Sequence, residues 1–164
     1  MPTNLRYRCY LSFDHQDESP ARAFIEEFDP RQEYLFTRKE TVPNYILSST
    51  DPAFVAQRMR QYFLLESTVT IVLVGKATWT QRSVEAELLG SLYRANGLQP
   101  SGLVAIRLLH RSITLKLPER LRLNLDSGYA RFHLYPDNPL ELSAWIEDAH
   151  KRRTARLHVL KDAS

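Results

Sequence analysis

One stretch, residues 67–92, constrains the fold of this chain more than any other. It opens Ser-Thr-Val-Thr-Ile-Val-Leu-Val-Gly and closes Ser-Val-Glu-Ala-Glu-Leu-Leu-Gly-Ser-Leu. Residues 69–74 are nearly all apolar and mostly β-branched, the pattern of a strand covered on both faces, as in a parallel sheet. Gly75 ends it. Thr80 is the expected helix N-cap, and the spacing predicts a helix from there to about Asn96-Gly97. Its inner stripe is Val84, Leu88, Leu92 and Ala95. Glu87 falls beside that stripe, near the carboxyl end of a buried strand. In open α/β sheets that edge is where ligands bind.

The rest of the chain repeats the strand–helix alternation. Residues 5–13 alternate, with Leu5, Tyr7, Cys9, Leu11 and Phe13 on one face and Arg6, Arg8, Tyr10 and Ser12 on the other. A polar loop, Asp14-His15-Gln16-Asp17-Glu18, leads to Ser19-Pro20, which reads as an N-cap and first helical residue. The apolar residues of that helix are Phe24, Ile25 and Phe28. Residues 34–36 read as a short second strand and residues 37–50 as an irregular loop. Asp51-Pro52 starts a helix with Val55, Met59 and Phe63 inward. Beyond the central stretch, residues 103–109 predict a fourth strand, 110–129 irregular chain and 131–135 a fifth strand. Asn138-Pro139 starts a last helix with Glu141 as its capping-box acid. Leu142, Trp145, Ile146 and Ala149 are its packing face, and a basic tail, 151–164, follows.

Strands alternating with helices imply a parallel sheet with helices on both faces. Five strands suit the flavodoxin-like order 2-1-3-4-5, which makes the first and third strands neighbours. Their carboxyl ends, Ser12-Phe13-Asp14 and Gly75-Lys76, are expected to flank one crevice. The helix start at Ser19-Pro20 is expected to offer backbone N–H groups to an anion there. The whole chain, 164 residues, reads as a single domain with its core at about 5–150.

Several chemistries are disfavoured. Gly75, Gly90, Gly97, Gly102 and Gly128 form neither a G-x-G-x-x-G nor a Walker loop, and there is no G-x-S-x-G elbow. The five histidines lack metal-ligand spacing, and the single cysteine, Cys9, leaves no internal disulfide. No metal and no resident cofactor are expected. With a formal charge of +3 the chain is only mildly basic, so nucleic acid is not the expected partner. The absence of a secretory pattern or a membrane-length apolar run predicts a cytoplasmic protein without membrane contact.

These residues carry a resemblance. Ser12-Phe13 ending the first strand, then Asp17, is similar to the opening of TIR-like proteins of bacterial antiphage defence, above all the small TIR subunit of Thoeris-type systems. The central stretch resembles that family more closely: Ser-x-Val-Thr-Ile-Val-Leu-Val-Gly, then Thr78, Arg82, Val84 and Glu87-Leu88. The resemblance runs from about Tyr7 to Leu92 and more loosely to Trp145. Many relatives carry Trp four residues before the catalytic glutamate, where this chain has Ser83, a change that implies a differently shaped pocket.

The resemblance implies a flavodoxin-like TIR domain. It implies that Glu87 is the catalytic carboxylate of an enzyme that cleaves the nicotinamide–ribose bond of NAD, with NAD as substrate. The product would be an ADP-ribose-type, cyclic signalling nucleotide, received by a separate effector protein. Ser12, Phe13, Asp14, Trp79, Arg82 and Ser83 would contact the nucleotide, Phe13 and Trp79 by stacking. Self-association of TIR domains would complete the pocket, with the loop 37–50 placed for that contact. Plainer roles stand beside these. Phe13 and Trp79 also suit packing, and Asp14, His15 and Asp17 suit a solvated loop with a helix cap. Arg82 is placed to pair with Glu85 or Glu18. A TIR module that only assembles with other TIR domains is the alternative to the enzyme. A receiver-like domain of the same fold is disfavoured, because Val74-Gly75 stands where it needs an Asp.

Overall fold

The computed structural model describes residues 5–95 and 97–154. Five strands form one sheet: β1 Cys9–Ser12, β2 Leu35–Phe36, β3 Val69–Val74, β4 Gly102–Arg107 and β5 Ala130–His133. Their order is β2-β1-β3-β4-β5 and every pairing is parallel. This is the expected flavodoxin-like arrangement, with β3 paired to β1 on one side and to β4 on the other. Six helices surround the sheet: α1 Glu18–Phe28, α2 Asn44–Leu47, α3 Pro52–Met59, α4 Arg82–Leu92, α5 Glu119–Asp126 and α6 Pro139–Arg152.

The core has two layers, one on each sheet face, and the period of two along the strands sorts residues between them. Cys9 and Leu11 of β1, Ile71 and Leu73 of β3, and Val104 and Ile106 of β4 pack with α1 and α6. Tyr10 of β1, Val72 and Val74 of β3, and Leu103 and Ala105 of β4 pack with α3, α4 and α5. All six β3 residues are buried, as a strand covered on both faces requires. Against α3, α4 sits very close. A Cβ on Gly90 would come within 2.7 Å of the Met59 Cβ and 2.6 Å of Leu64 Cδ1. After α3 the chain continues through a π-helical turn, Arg60–Leu64.

Several element boundaries differ from those the sequence predicts. Residues 5–8 are outside the β1 ladder, whose pairing begins at Cys9 opposite Leu35 and Val69. Ser19 does not cap α1. A 3-10 turn, His15–Asp17, runs straight into the helix with Asp17 at the N-cap and no side-chain cap bond. Pro20 is tolerated inside the first turn because the N–H it lacks has no intrahelical partner there. The loop 37–50 contains the single turn α2, seated by the buried Ile46. Helix α4 begins after Gln81, because residues Thr78–Thr80 form a 3-10 turn in which the Thr80 hydroxyl donates to the Ala77 carbonyl. It ends at Leu92, where Tyr93 turns extended, so Ala95 is off the helix, and Asn96 lies outside the described residues.

On the far side, β4 stops at Arg107 and β5 covers residues 130–133. The segment expected to be irregular holds α5, with Leu121 buried and Arg122 bridging Glu119 and Asp126 along the exposed side. Helix α6 matches its prediction closely. Asn138 Oδ1 accepts from the Glu141 N–H at 2.9 Å, and Glu141 Oε1 accepts from the Asp137 N–H, one residue outside the usual box. Lys151 and Arg152 of the expected tail are still helical, and residues 155–164 lie outside the described residues. Among the described residues no helix is long and apolar enough to cross a membrane.

A buried carboxylate beside a polar cavity

Glu87 lies in the middle of α4, on the side that faces β1. The Ser91 hydroxyl ties this helix to the sheet. Ser91 donates to the Glu87 carbonyl at 2.8 Å, and its oxygen lies 2.6 Å from Thr70 Oγ1 on β3. Val84, Leu88 and Leu92 fill the apolar layer above and below. The Glu87 side chain is 2 % exposed. The same period of two that sends Cys9 and Leu11 to the other face turns Tyr10 and Ser12 toward it. Ser12 Oγ donates to Glu87 Oε1 at 2.9 Å, and the Tyr10 hydroxyl donates to Oε2. Arg38, just beyond β2, brings its Nε to 3.4 Å from Oε2.

A carboxylate taken from water is costly in its charged form. Desolvation therefore pushes Glu87 above the ordinary carboxylate range, while donation from Tyr10, the charge of Arg38 and donation from Ser12 pull it back. Tyr10 is itself pushed strongly upward by burial and then by the Glu87 charge, so it stays a neutral donor. The opening beside Glu87 is a cavity of about 700 Å³. Leu11 and Phe13 form its β1 wall, α1 contributes Glu18, Arg22 and Ile25, and the segment after β2 contributes Arg38, Lys39 and Glu40. Its lining holds both acidic and basic side chains, with the aromatic ring of Phe13 among them.

The residues that the sequence singles out divide into two groups. Glu87 and Phe13 line this cavity, and Ser12 joins them through its bond to Glu87. Trp79 and Arg82 lie elsewhere. The Trp79 ring is 44 % exposed, with Lys116 Nζ 4.5 Å from its centre. Arg82 is exposed and lines a separate cavity of about 290 Å³ with Glu85 and the residues of α2. It pairs with neither expected acid, since Glu85 binds Arg120 at 2.7 Å and Glu18 binds Arg22. Ser83 is half-buried on the first turn of α4 and is not a wall residue of the larger cavity.

Asp14 is not part of a solvated loop. It is 1 % exposed, neither carboxylate oxygen accepts a hydrogen bond, and His15 Nδ1 lies 3.1 Å from Oδ1. The Asp17 carboxylate presses against Gly75, where a Cβ would come within 2.1 Å of Oδ2. Burial and then the nearby Asp14 charge raise Asp17. The expected crevice between the ends of β1 and β3 is thus filled by these acids. The open space lies on the β1–β2 side.

Two residues of the site, Tyr10 and Arg38, escape sequence reasoning. Tyr10 shares a strand face with Ser12, so its alignment toward Glu87 was available from the alternation. Arg38 carries no local signal. Only the strand order, which sets the end of β2 next to β1, brings it to the carboxylate.

No curated protein matches this chain. The family model described as Thoeris protein ThsB, TIR-like domain, matches residues 10–112, more than half of the sequence. That span opens at Tyr10 and includes Ser12, Arg38, Glu87, all of β1 but Cys9, and the whole of β2, β3 and β4. With the family's sheet order present as well, the chain belongs to the ThsB TIR-like domains of Thoeris systems, a membership that supports a role in antiphage defence.

Proposed function

We propose that this protein consumes NAD, breaking the nicotinamide–ribose bond and releasing an ADP-ribose-type signalling nucleotide, in cyclic form, for a separate effector of the same defence system. The observation that carries the reading is Glu87: a buried carboxylate, held by three side chains, at the wall of a large polar cavity. Cleavage of that bond builds oxocarbenium character on the ribose, as in glycoside hydrolysis. A preorganised negative charge in a poorly hydrated site stabilises it. Nicotinamide departs neutral, so the site needs no strong general acid. Phe13 offers a face for a ring, and Arg22 and Lys39 offer cations for a pyrophosphate.

A second reading has its own observation. Both Glu87 oxygens are already engaged by the protein, as a purely structural carboxylate in a TIR assembly module would be. Incubation of the purified chain with NAD, alone and with extract of phage-infected cells, separates the two. Loss of NAD with release of nicotinamide supports the enzyme. NAD untouched in both conditions, by a folded chain, leaves the assembly module.

A further inference from the structure

We propose that Tyr10 is a positioning residue: its hydroxyl, carried on a fully buried ring, holds Oε2 of Glu87 while Ser12 holds Oε1, and so keeps the carboxylate charged and in place at the cavity wall. The inference deepens the NAD reading and rests on it for its activity arm. A glutamate has three rotatable bonds, and one anchor would leave its carboxylate free to turn. Two donors from one strand, two residues apart, fix both oxygens. A step of two residues along a strand is about 6.6 Å, and the length of the phenol bridges it, so a short and a long side chain reach the same group. The Tyr10 ring is 0 % exposed and meets Phe36 edge-on at 5.6 Å, which leaves it no alternative position.

The remaining charged groups do not replace it. Arg38 is the sole cation in ion-pair contact with Glu87 among the described residues, and it is 23 % exposed, so water weakens its hold. Across the cavity stand His15, Glu18, Arg22, Glu26, Lys39 and Glu40, none of them an ion-pair partner of Glu87. The Tyr10 hydrogen bond opposes the effect of burial on Glu87, alongside the Arg38 charge and the Ser12 hydrogen bond.

The test is Tyr10→Phe, which removes the hydroxyl and keeps the ring. Two readouts are taken: kcat and KM for NAD against pH, and the carboxyl carbon resonance of Glu87 titrated without NAD, assigned through Glu87→Gln. The expected result is an acid limb of kcat displaced to higher pH, with turnover on that limb down about tenfold, the worth of one hydrogen bond to a charged group. KM should change little, and the Glu87 resonance should titrate at higher pH. Site-specific 3-fluorotyrosine at position 10, a stronger donor of the same shape, should move that titration the other way, and it decides the matter where Tyr10→Phe does not fold. An unmoved Glu87 titration in both variants overturns the inference. If the wild type leaves NAD intact, the proposed reaction falls, and the resonance alone still decides the role of Tyr10.

Discussion

Replacing Glu87 by Gln separates the charge of this group from its volume. The amide is nearly isosteric, and the partners can adapt. Ser12 and Tyr10 both carry hydroxyls, which accept as well as donate, so one can turn to receive the new N–H while the other still donates to the carbonyl oxygen. Arg38 loses an ion pair, but its 23 % exposure lets water solvate the guanidinium. Packing therefore loses little. The transition state loses the Glu87 charge set against the developing oxocarbenium. Removal of a preorganised electrostatic partner costs about a hundred- to a thousandfold in rate, or roughly 2.7–4 kcal/mol of barrier.

Stability should move the other way, and with a pH dependence of known sign. Desolvation raises Glu87 above its ordinary value of 4.5 in the folded state. Between that value and the raised one the folded protein holds more protons than the unfolded chain. Wild-type stability therefore falls as pH rises through this window. The Gln variant lacks that slope, so it should equal or exceed the wild type at neutral pH. Nicotinamide release and urea unfolding at several pH values check both halves. The control is Glu85→Gln, which breaks the partly exposed pair with Arg120, worth at most about 1 kcal/mol, and should turn over normally. Wild-type turnover in Glu87→Gln, with loss in Glu85→Gln, would refute the site and its chemistry together.

Three further outcomes follow from the same geometry. Ser12→Ala removes the donor to Oε1 and should lower stability at neutral pH by about 1–3 kcal/mol in urea titrations, with a smaller deficit in acid where Glu87 is protonated. Gly75→Ala drives a methyl into the Asp17 carboxylate and should cost about 1–3 kcal/mol, part of which Asp17→Ser in the same chain restores. Tyr45→Ala removes an aromatic 52 % exposed on α2 that leans on Phe54. If turnover depends on contact between copies through the segment 37–50, this variant should lose activity per molecule more steeply on dilution than the wild type, and equal dilution curves would exclude that surface.

The sheet was legible because burial on both faces writes itself into composition. Residues 69–74 and 103–107 hold almost nothing polar, and their elements lie where the pattern puts them. Helix α6 was legible for another reason: Asn138-Pro139 and Glu141 are local signals, and the cap bond they imply is present. Elements held mainly by tertiary contact were not. The single turn α2 rests on Ile46, and α5 is short, with arginines set among its leucines. The early end of α4 follows from Tyr93 leaving the helix, a change that no Gly or Pro announces at that position.

The site divides along the same physical line. Glu87, Ser12 and Phe13 are each placed by one element, a helix face or a strand end, and the residue spacing alone indicates where they point. Asp14 and Asp17 look like a solvated loop because five polar residues in a row usually are one, yet Asp14 is buried and the 3-10 turn folds Asp17 back against Gly75. That closure has a consequence for the chemistry. With the β1–β3 crevice filled, a ligand of Glu87 must approach from the β1–β2 side, past Arg38. A vicinal diol binding both carboxylate oxygens needs one acceptor site on each. Oε1 has one left after Ser12, whereas Oε2 is shared by Tyr10 and Arg38. Bidentate binding of a ribose therefore requires the guanidinium to withdraw, while Tyr10, sealed in the core, stays. Arg38→Met should accordingly tighten KM for NAD relative to the wild type and lower kcat on the acid limb, because the same substitution frees an acceptor and removes a charge that helps to keep Glu87 ionised. An Arg38→Met chain with both a weaker KM and an unshifted acid limb would show that the arginine binds substrate and does not occupy its place.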